Sequence, residues 1–591
     1  MILAKLNKEQ RIAVQQDGHV LLTACPGSGK TRVIIHKLAH DLGRIAEGSK
    51  KKVMALTFTV RASEEIFRRL NAMGINSDKI WSGTLHSFCL EWIIRPYSCY
   101  LPELMNGYTI ADETFCSDLV DSLKVKHKLK AIDPVNFRFN RDGTFAEPKS
   151  IQKELLKEYH AILKKKKLID FELLLLYAYR LLINFPKIPQ TLSNLFKLIC
   201  VDEYQDTQDL MYAIICLIIK TGRTKTSLFL VGDTDQAIYA SLGGVAKNRS
   251  EIKSEIGGLP MTPLTLTGNY RTCQRIIDFY SNFQTQKIKI EAVGLNAKEK
   301  GIITFNNVVH HGRIVEEIAR LIRISLDKSI PEGEICVLVP QWWLITSVSK
   351  KLRAILPGVN FDASGLAPMA RNRDNIWYKL SRLFLTGPNP KIYTLRFRWA
   401  EEIINDFCGQ TKANFEERYE QPKSLLRLIN SIESAQTEGI PYLNDCFDQF
   451  LLEVKIDFSL HPSLVENRKL FFSHIEKRLS DPDFSIPSDI ISFKSFYREM
   501  SGVIINTCVG VKGEEFETVI AYGLLNGYIP HWNEIFSGNA NEASKKLMYV
   551  ICSRAKTSLH LISEKGRTTK KGDELAINPE LRDIVFDYDI H

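Results

Sequence analysis

An apolar, β-rich run that breaks into a glycine loop constrains this chain more than any other feature. HVLLTACPGSGKT at 19–31 passes from buried-strand residues into ACPGSGKT and then into a helical pattern. A strand–loop–helix unit of this kind wraps backbone N–H groups around phosphate oxygens. Gly27 and Gly29 permit the turn, Lys30 adds a point charge for the β- and γ-phosphates, and the Thr31 hydroxyl suits Mg²⁺. The strict loop pattern starts with glycine; here that position is Ala24.

The strand before the loop has counterparts. VMALTFT at 53–59, LICVDEYQD at 198–206 and SLFLVGD at 227–233 are short apolar runs that end in Gly, Asp or Thr, and helical patterns follow them. A second set comprises IITFNNV at 302–308, ICVLVP at 335–340, VIINT at 503–507 and TVIAYGLL at 518–525. Buried strands alternating with helices predict parallel α/β sheets. Long helical stretches interrupt each set, over 90–190 and 370–500. At 591 residues the chain exceeds one core. Two α/β domains, each with a mostly helical insertion, account for it.

Two further clusters carry chemistry. At the strand end VDEYQD, Asp202 can hold Mg²⁺ and Glu203 can polarise a water for attack on a γ-phosphate. GNYRT at 268–272 and SRAK at 553–556 offer Arg271 and Arg554 as cations for a phosphoryl transition state. In LVGDTDQAIY, Gln236 suits a phosphate and Tyr239 suits stacking on something flat, so the stretch reads as a junction between two ligands. The net charge of +10 is compatible with nucleic acid. Lysines 124, 126, 128, 130 and 164–167 suit either a grip on a duplex backbone or, more simply, solvated helix faces.

Twelve cysteines without a CxxC indicate neither zinc nor a disulfide framework. The longest apolar run, Met211 to Ile219, is too short to span a bilayer, and MILAKLNKEQ carries charge at once. A cytoplasmic protein with no membrane partner is expected.

Taken in order, these motifs resemble those of UvrD/Rep/PcrA-type superfamily 1 DNA helicases over nearly the whole chain. LNKEQ resembles the Q motif with Gln10 as adenine reader, and ACPGSGKTR resembles motif I. The resemblance assigns the nucleotide to Ala24, Cys25, Pro26, Gly27, Ser28, Gly29, Lys30, Thr31 and Arg32, the last flanking the base, and Mg²⁺ to Thr31 and Asp202. LTFTVRASEEI resembles motif Ia, GTLHSFC motif Ib, VDEYQDTQ motif II and GDTDQAIY motif III. LTGNYRT resembles motif IV, with Tyr270 stacking on adenine and Arg271 on the γ-phosphate. NTCVGVKGEEFETV resembles motif V with Glu515 on the ribose, and KKLMYVICSRAK motif VI with Arg554 as a second arginine finger.

The resemblance implies two RecA-like P-loop NTPase domains: 1A over 1–90 and 191–275, 2A over 276–369 and 501–591, with insertions 1B over 91–190 and 2B over 370–500. It implies ATP hydrolysis by Glu203, Lys30, Gln236, Arg271 and Arg554, with both fingers reaching ATP only when the domains close. It also implies 3′–5′ movement on single-stranded DNA, contacted by Phe58, His86 and Tyr239, and action at single-strand/duplex junctions.

Departures gather on the DNA side. The family's Arg-Trp-Arg after Tyr239 is Ala240-Ser241-Leu242, its Asn-Lys of motif Ia is Val60-Arg61, and in motif V Val509 and Glu514 replace His and Leu. Every assigned ATP contact is kept. A helicase or translocase is therefore one expectation. The other is a DNA-sensing ATPase that unwinds weakly and activates an OLD/TOPRIM-type nuclease, as in compact members resembling the helicase-like subunit of the Gabija phage-defence system.

Overall fold

Each half of the chain builds a parallel six-stranded sheet from the short apolar runs. The computed structural model describes residues 3–590 except 112, 131–132, 147–149, 241–242, 364–367, 370–374, 412–418, 420, 456, 458–459, 481–486, 496, 498–501, 537 and 570. Two compact units result, Met1–Glu299 and Lys300–His591.

In the first unit the strands are β1 (His19–Ala24), β2 (Lys52–Thr57), β3 (Ile80–Thr84), β4 (Phe196–Asp202), β5 (Ser227–Gly232) and β6 (Met261–Leu266). They lie in the order β3-β2-β4-β5-β1-β6. Side chains alternate across the pleat. Val20 and Leu22 of β1 join one core with Val33 and Ile34 of helix α1 (Lys30–Leu42), while Leu21 faces the opposite core. Register places the strand ends side by side. Thr23 pairs with Gly232 and Asp202 with Val231, so the loops that leave β1, β4 and β5 emerge at one edge. In open parallel sheets that carboxyl edge is where ligands bind.

The helical insertion of the first unit includes Glu113–Lys126, Ser150–Lys165 and Phe171–Asn184. Asp170 caps the last of these, accepting from Leu173 N at 2.8 Å. Its leucines 173–176 enter the same core as one sheet face, so this insertion is packed into the α/β body.

The second sheet comprises β7 (Ile302–Asn306), β8 (Ile335–Val339), β9 (Phe361–Ala363), β10 (Val503–Thr507), β11 (Phe516–Ala521) and β12 (Ala555–Ile562), in the order β7-β12-β11-β8-β10-β9. Its insertion differs from the first. Trp377, Phe407, Leu425, Phe447 and Phe471 form a core made of described residues between 369 and 493 only.

Four strands lay outside the apolar runs of the sequence. β6 carries Pro263 and alternates buried with open positions, as an edge strand tolerates. β12 looks polar, yet Ser558 and His560 are buried and His560 Nδ1 lies 2.8 Å from the Thr304 hydroxyl. β3 and β9 are short. Residues 276–299 pack with the first unit, where Asn269 Nδ2 donates to Tyr280 Oη at 3.0 Å. No helix among the described residues is long and apolar enough to cross a membrane.

Candidate nucleotide site and nucleic-acid face

The glycine loop is clamped from three directions. From within it, Ser28 Oγ donates to Cys25 O at 2.7 Å. From β6, Leu266 O accepts from Cys25 N at 3.2 Å. From the N-terminal helix (Lys8–Gln15), Gln10 Nε2 donates to Ser28 O at 2.9 Å. Gln10 Oε1 in turn accepts from Asn7 N at 3.2 Å, and Asn7 Oδ1 accepts from Gln10 N at 2.7 Å. Here Gln10, expected to read adenine, also holds the loop; its amide keeps a second N–H and a second carbonyl lone pair beyond these bonds. Burial pushes the Cys25 thiol up to about 12, so it stays protonated.

Gly27 is required at its position. Its φ is +68°, and a Cβ there would lie 2.7 Å from both Arg271 Cβ and Asn269 Oδ1. The segment after β6 therefore lies against the loop, with Tyr270 N donating to Gly27 O at 2.9 Å. Asn269 Oδ1 accepts from the backbone N–H groups of Arg271 and Thr272 at 2.7 and 2.8 Å. Arg271 thus belongs to the first unit beside Gly27. This differs from the expected finger that arrives on domain closure: its backbone is already in place without the second unit. Tyr270 is 38% exposed, and its hydroxyl accepts from Asn7 Nδ2 at 2.7 Å. Its ring is left open for a planar ligand, and Arg32 is half-buried at the start of α1.

At the end of β4, Lys30 Nζ lies 3.3 Å from Glu203 Oε1. Glu203 occupies the left-handed region at φ +50°, a conformation that costs a non-glycine residue about 1 kcal/mol or more and aims its side chain at the loop. Asp202 Oδ1 accepts from Glu203 N at 3.0 Å. Among the described residues no three His, Cys, Asp or Glu side chains group to hold a metal. Mg²⁺ is commonly held by only one or two carboxylates, with phosphates and water completing its shell.

A buried relay runs from that pair toward motif III. Gln205 Nε2 donates to Glu203 Oε2 at 2.6 Å, and Gln205 Oε1 accepts from Asp233 N at 3.1 Å. Asp233 Oδ2 accepts from Gln236 Nε2 at 2.9 Å, and its Oδ1 from Asp235 N at 3.0 Å. Burial lifts the Asp233 carboxyl to about 6, against the pull of Lys30. Asp235 also accepts from Thr285 N at 2.8 Å and from the Thr285 hydroxyl.

Three residues beyond Gln236, Tyr239 stacks on Phe58, with ring centroids 4.7 Å apart and planes 21° from parallel. Phe58 is 43% exposed. Burial, with Asp206 and Glu203 nearby, lifts the Tyr239 hydroxyl to about 12. His86 is placed edge-on to Phe171 of the insertion at 5.1 Å, and burial lowers it to about 4, so it is a neutral ring. Ser241 and Leu242 lie outside the described residues, as do the side chains of Val60 and Arg61.

Arg554 and Glu515 belong to the second unit. Arg554 follows the helix Ala540–Cys552 and is 1% exposed. Its Nε donates to Val550 O at 3.0 Å, Nη1 to Glu514 O at 3.3 Å and Nη2 to Ser553 Oγ at 3.0 Å. Glu514, one of the motif V departures, thus lends its carbonyl to the arginine. Glu515 is exposed. Asn7, Gln205, Asp233 and Asn269 are the site residues that sequence reasoning missed. Their only signal was their place inside LNKEQ, VDEYQD, GDTDQ and GNYRT.

A family model described as the UvrD/REP helicase N-terminal domain matches residues 6–256, and one for the UvrD-like helicase C-terminal domain matches 390–566. The chain is 24% identical, over 660 aligned positions, to the ATP-dependent DNA helicase PcrA of Bacillus subtilis, covering 99% of this chain and 86% of that protein. It is 29% identical to PcrA of Staphylococcus epidermidis over 647 positions, covering 96% and 84%.

Proposed function

The chain belongs to the UvrD/REP helicase family, and from that premise we propose that it is a cytoplasmic ATP-hydrolysing motor that moves 3′ to 5′ on single-stranded DNA and works at single-strand/duplex junctions. The observation that carries this reading is the unbroken hydrogen-bonded relay Glu203–Gln205–Asp233–Gln236, which starts beside Lys30 and ends three residues before Tyr239, stacked on the exposed Phe58.

In this reading Lys30 leaves Glu203 for the β- and γ-phosphate oxygens. Glu203, still held through Oε2 by Gln205, takes a proton from water as the water oxygen attacks the γ-phosphorus; the bond to the bridging oxygen breaks, and ADP and phosphate form. Gln236 and Arg271 bind the γ-phosphate, and Arg554 is the second finger that its motif implies. Thr31 and Asp202 would hold Mg²⁺, which would supply neutralisation of phosphate charge. Tyr270 stacks on the base, Gln10 and Arg32 contact it, and Glu515 takes the ribose. Bases stack on Phe58 and Tyr239, with His86 completing the surface.

The test is ATPase activity with and without single-stranded DNA. Strong stimulation, lost in Lys30→Ala and Glu203→Gln, is expected; a basal rate unmoved by any nucleic acid would overturn the reading. Strand displacement on 3′- and 5′-tailed duplexes tests polarity. A second reading, a sensor ATPase that activates an OLD/TOPRIM-type nuclease, is favoured by the uncharged Ala240-Ser241-Leu242 after the stacking tyrosine. Stimulated hydrolysis without strand displacement would support it.

A further inference from the structure

A strand that stacks its bases on Phe58 and Tyr239 must lay its phosphates nearby, and a phosphate beside a protein surface calls for a cation. The turn after Tyr239 brings none among its described residues: Gly243 N donates to Ala240 O at 2.9 Å, and Gly244 N to Tyr239 O at 3.0 Å. The cation there comes from the insertion. A Cβ on Gly243, whose φ is +90°, would lie 2.2 Å from Arg138 Nη1, so the guanidinium sits directly on this turn.

Arg138 opens a small hairpin in which Ala146 N donates to Arg138 O at 2.8 Å and Phe139 bridges Phe145. The hairpin is fixed to the α/β body at its tip. There Arg141 Nε meets Asp209 Oδ2 at 2.7 Å and Arg141 Nη2 meets Glu255 Oε1 at 2.8 Å, while Lys247 contacts both acids. Arg141 is consumed by acids; Arg138 is not. Among the described residues its side chain has one hydrogen bond, from Nε to Asn136 Oδ1 at 2.8 Å, and the same oxygen accepts from Arg138 N at 3.1 Å. Asn136 is itself held, donating to Ala146 O at 3.0 Å. Glu172 lies within Coulombic reach, but its Oε1 accepts from Gln208 Nε2 at 3.4 Å. The guanidinium is therefore oriented at one end and open at the other, the arrangement that suits a phosphate.

We propose that Arg138 binds a backbone phosphate of the single strand stacked on Phe58 and Tyr239, a grip delivered by the insertion hairpin. This rests on the single-strand reading above. The test is the binding of a fluorescent oligo-dT by wild type, Arg138→Ala and Arg138→Lys across a salt series. Each phosphate contact on a single strand contributes roughly 0.7 to the slope of log K against log salt. Arg138→Ala is expected to lower the slope by about 0.7, so that its deficit against wild type shrinks about 2.6-fold between 50 and 200 mM salt. Arg138→Lys, which keeps the charge, is expected to retain the slope. A wild-type slope in Arg138→Ala, whatever its melting temperature, overturns the proposal and leaves the motor reading standing. Failure of the wild type to bind the oligonucleotide removes both.

Discussion

One amide holds the carboxylate proposed to activate water. Gln205 touches no phosphate in the proposed reaction, yet it donates to Glu203 and accepts from the Asp233 backbone. Gln205→Ala should lower the DNA-stimulated kcat about tenfold to a hundredfold with little change in KM for ATP, because a misplaced base costs rate and not affinity; steady-state ATPase assays read the split. Asp233 gives a pH prediction. Its folded pKa of about 6 exceeds the ordinary 3.8 because burial disfavours the charge, with Asp235 adding to that and Lys30 opposing it. The folded state then binds the proton more tightly than the unfolded chain. The stability this contributes is complete below about 3.8 and lost as pH rises through about 6. Asp233→Asn should flatten the melting temperature of the ligand-free protein against pH between about 4 and 6, as thermal melts across that range would show. Lys30 and Glu203 were legible in the sequence because their motifs carry them. Gln205 and Asp233 were not, since their pairing depends on β4 and β5 being neighbours.

At the scale of elements, strand order turns separate motifs into one edge. Phe58 follows β2 and Tyr239 follows β5, with β4 between them, and their rings meet across the end of β4. Tyr239→Ala should weaken single-strand binding by about 1–3 kcal/mol, the worth of one base stacked on an aromatic ring, measurable by fluorescence anisotropy. Eight of the twelve sheet strands announce themselves as apolar runs. β6 and β12 stayed hidden for physical reasons: an edge strand needs only alternate burial, and Ser558 and His560 are buried polar residues satisfied or masked by packing. His86, whose motif points to DNA, packs edge-on to Phe171 as a neutral ring with a depressed pKa, a contact the sequence did not announce.

For the whole molecule, the two α/β bodies with helical insertions were legible because hydrophobic runs and helical stretches differ in period. What the pattern did not reveal is that the insertions differ in kind. The first shares its core with the sheet, and the second has a core of its own. Arg271 lies in the first unit with the phosphate loop, as the 191–275 bound of the first domain implied, which leaves Arg554 as the one assigned cation in the second unit. Arg554→Ala should keep nucleotide affinity, read by equilibrium binding of a fluorescent ATP analogue, and lose hydrolysis by about 10³-fold or more in single-turnover assays. Finally, Asp235, next to Gln236, holds Thr285 through two hydrogen bonds, fourteen residues before the first unit ends at Glu299. On the proposed reading, nucleotide binding beside Gln236 is expected to be felt in the stretch 276–299, which packs with the first unit. Amide exchange across 282–299 becomes a clock for the catalytic cycle that can be read without any DNA.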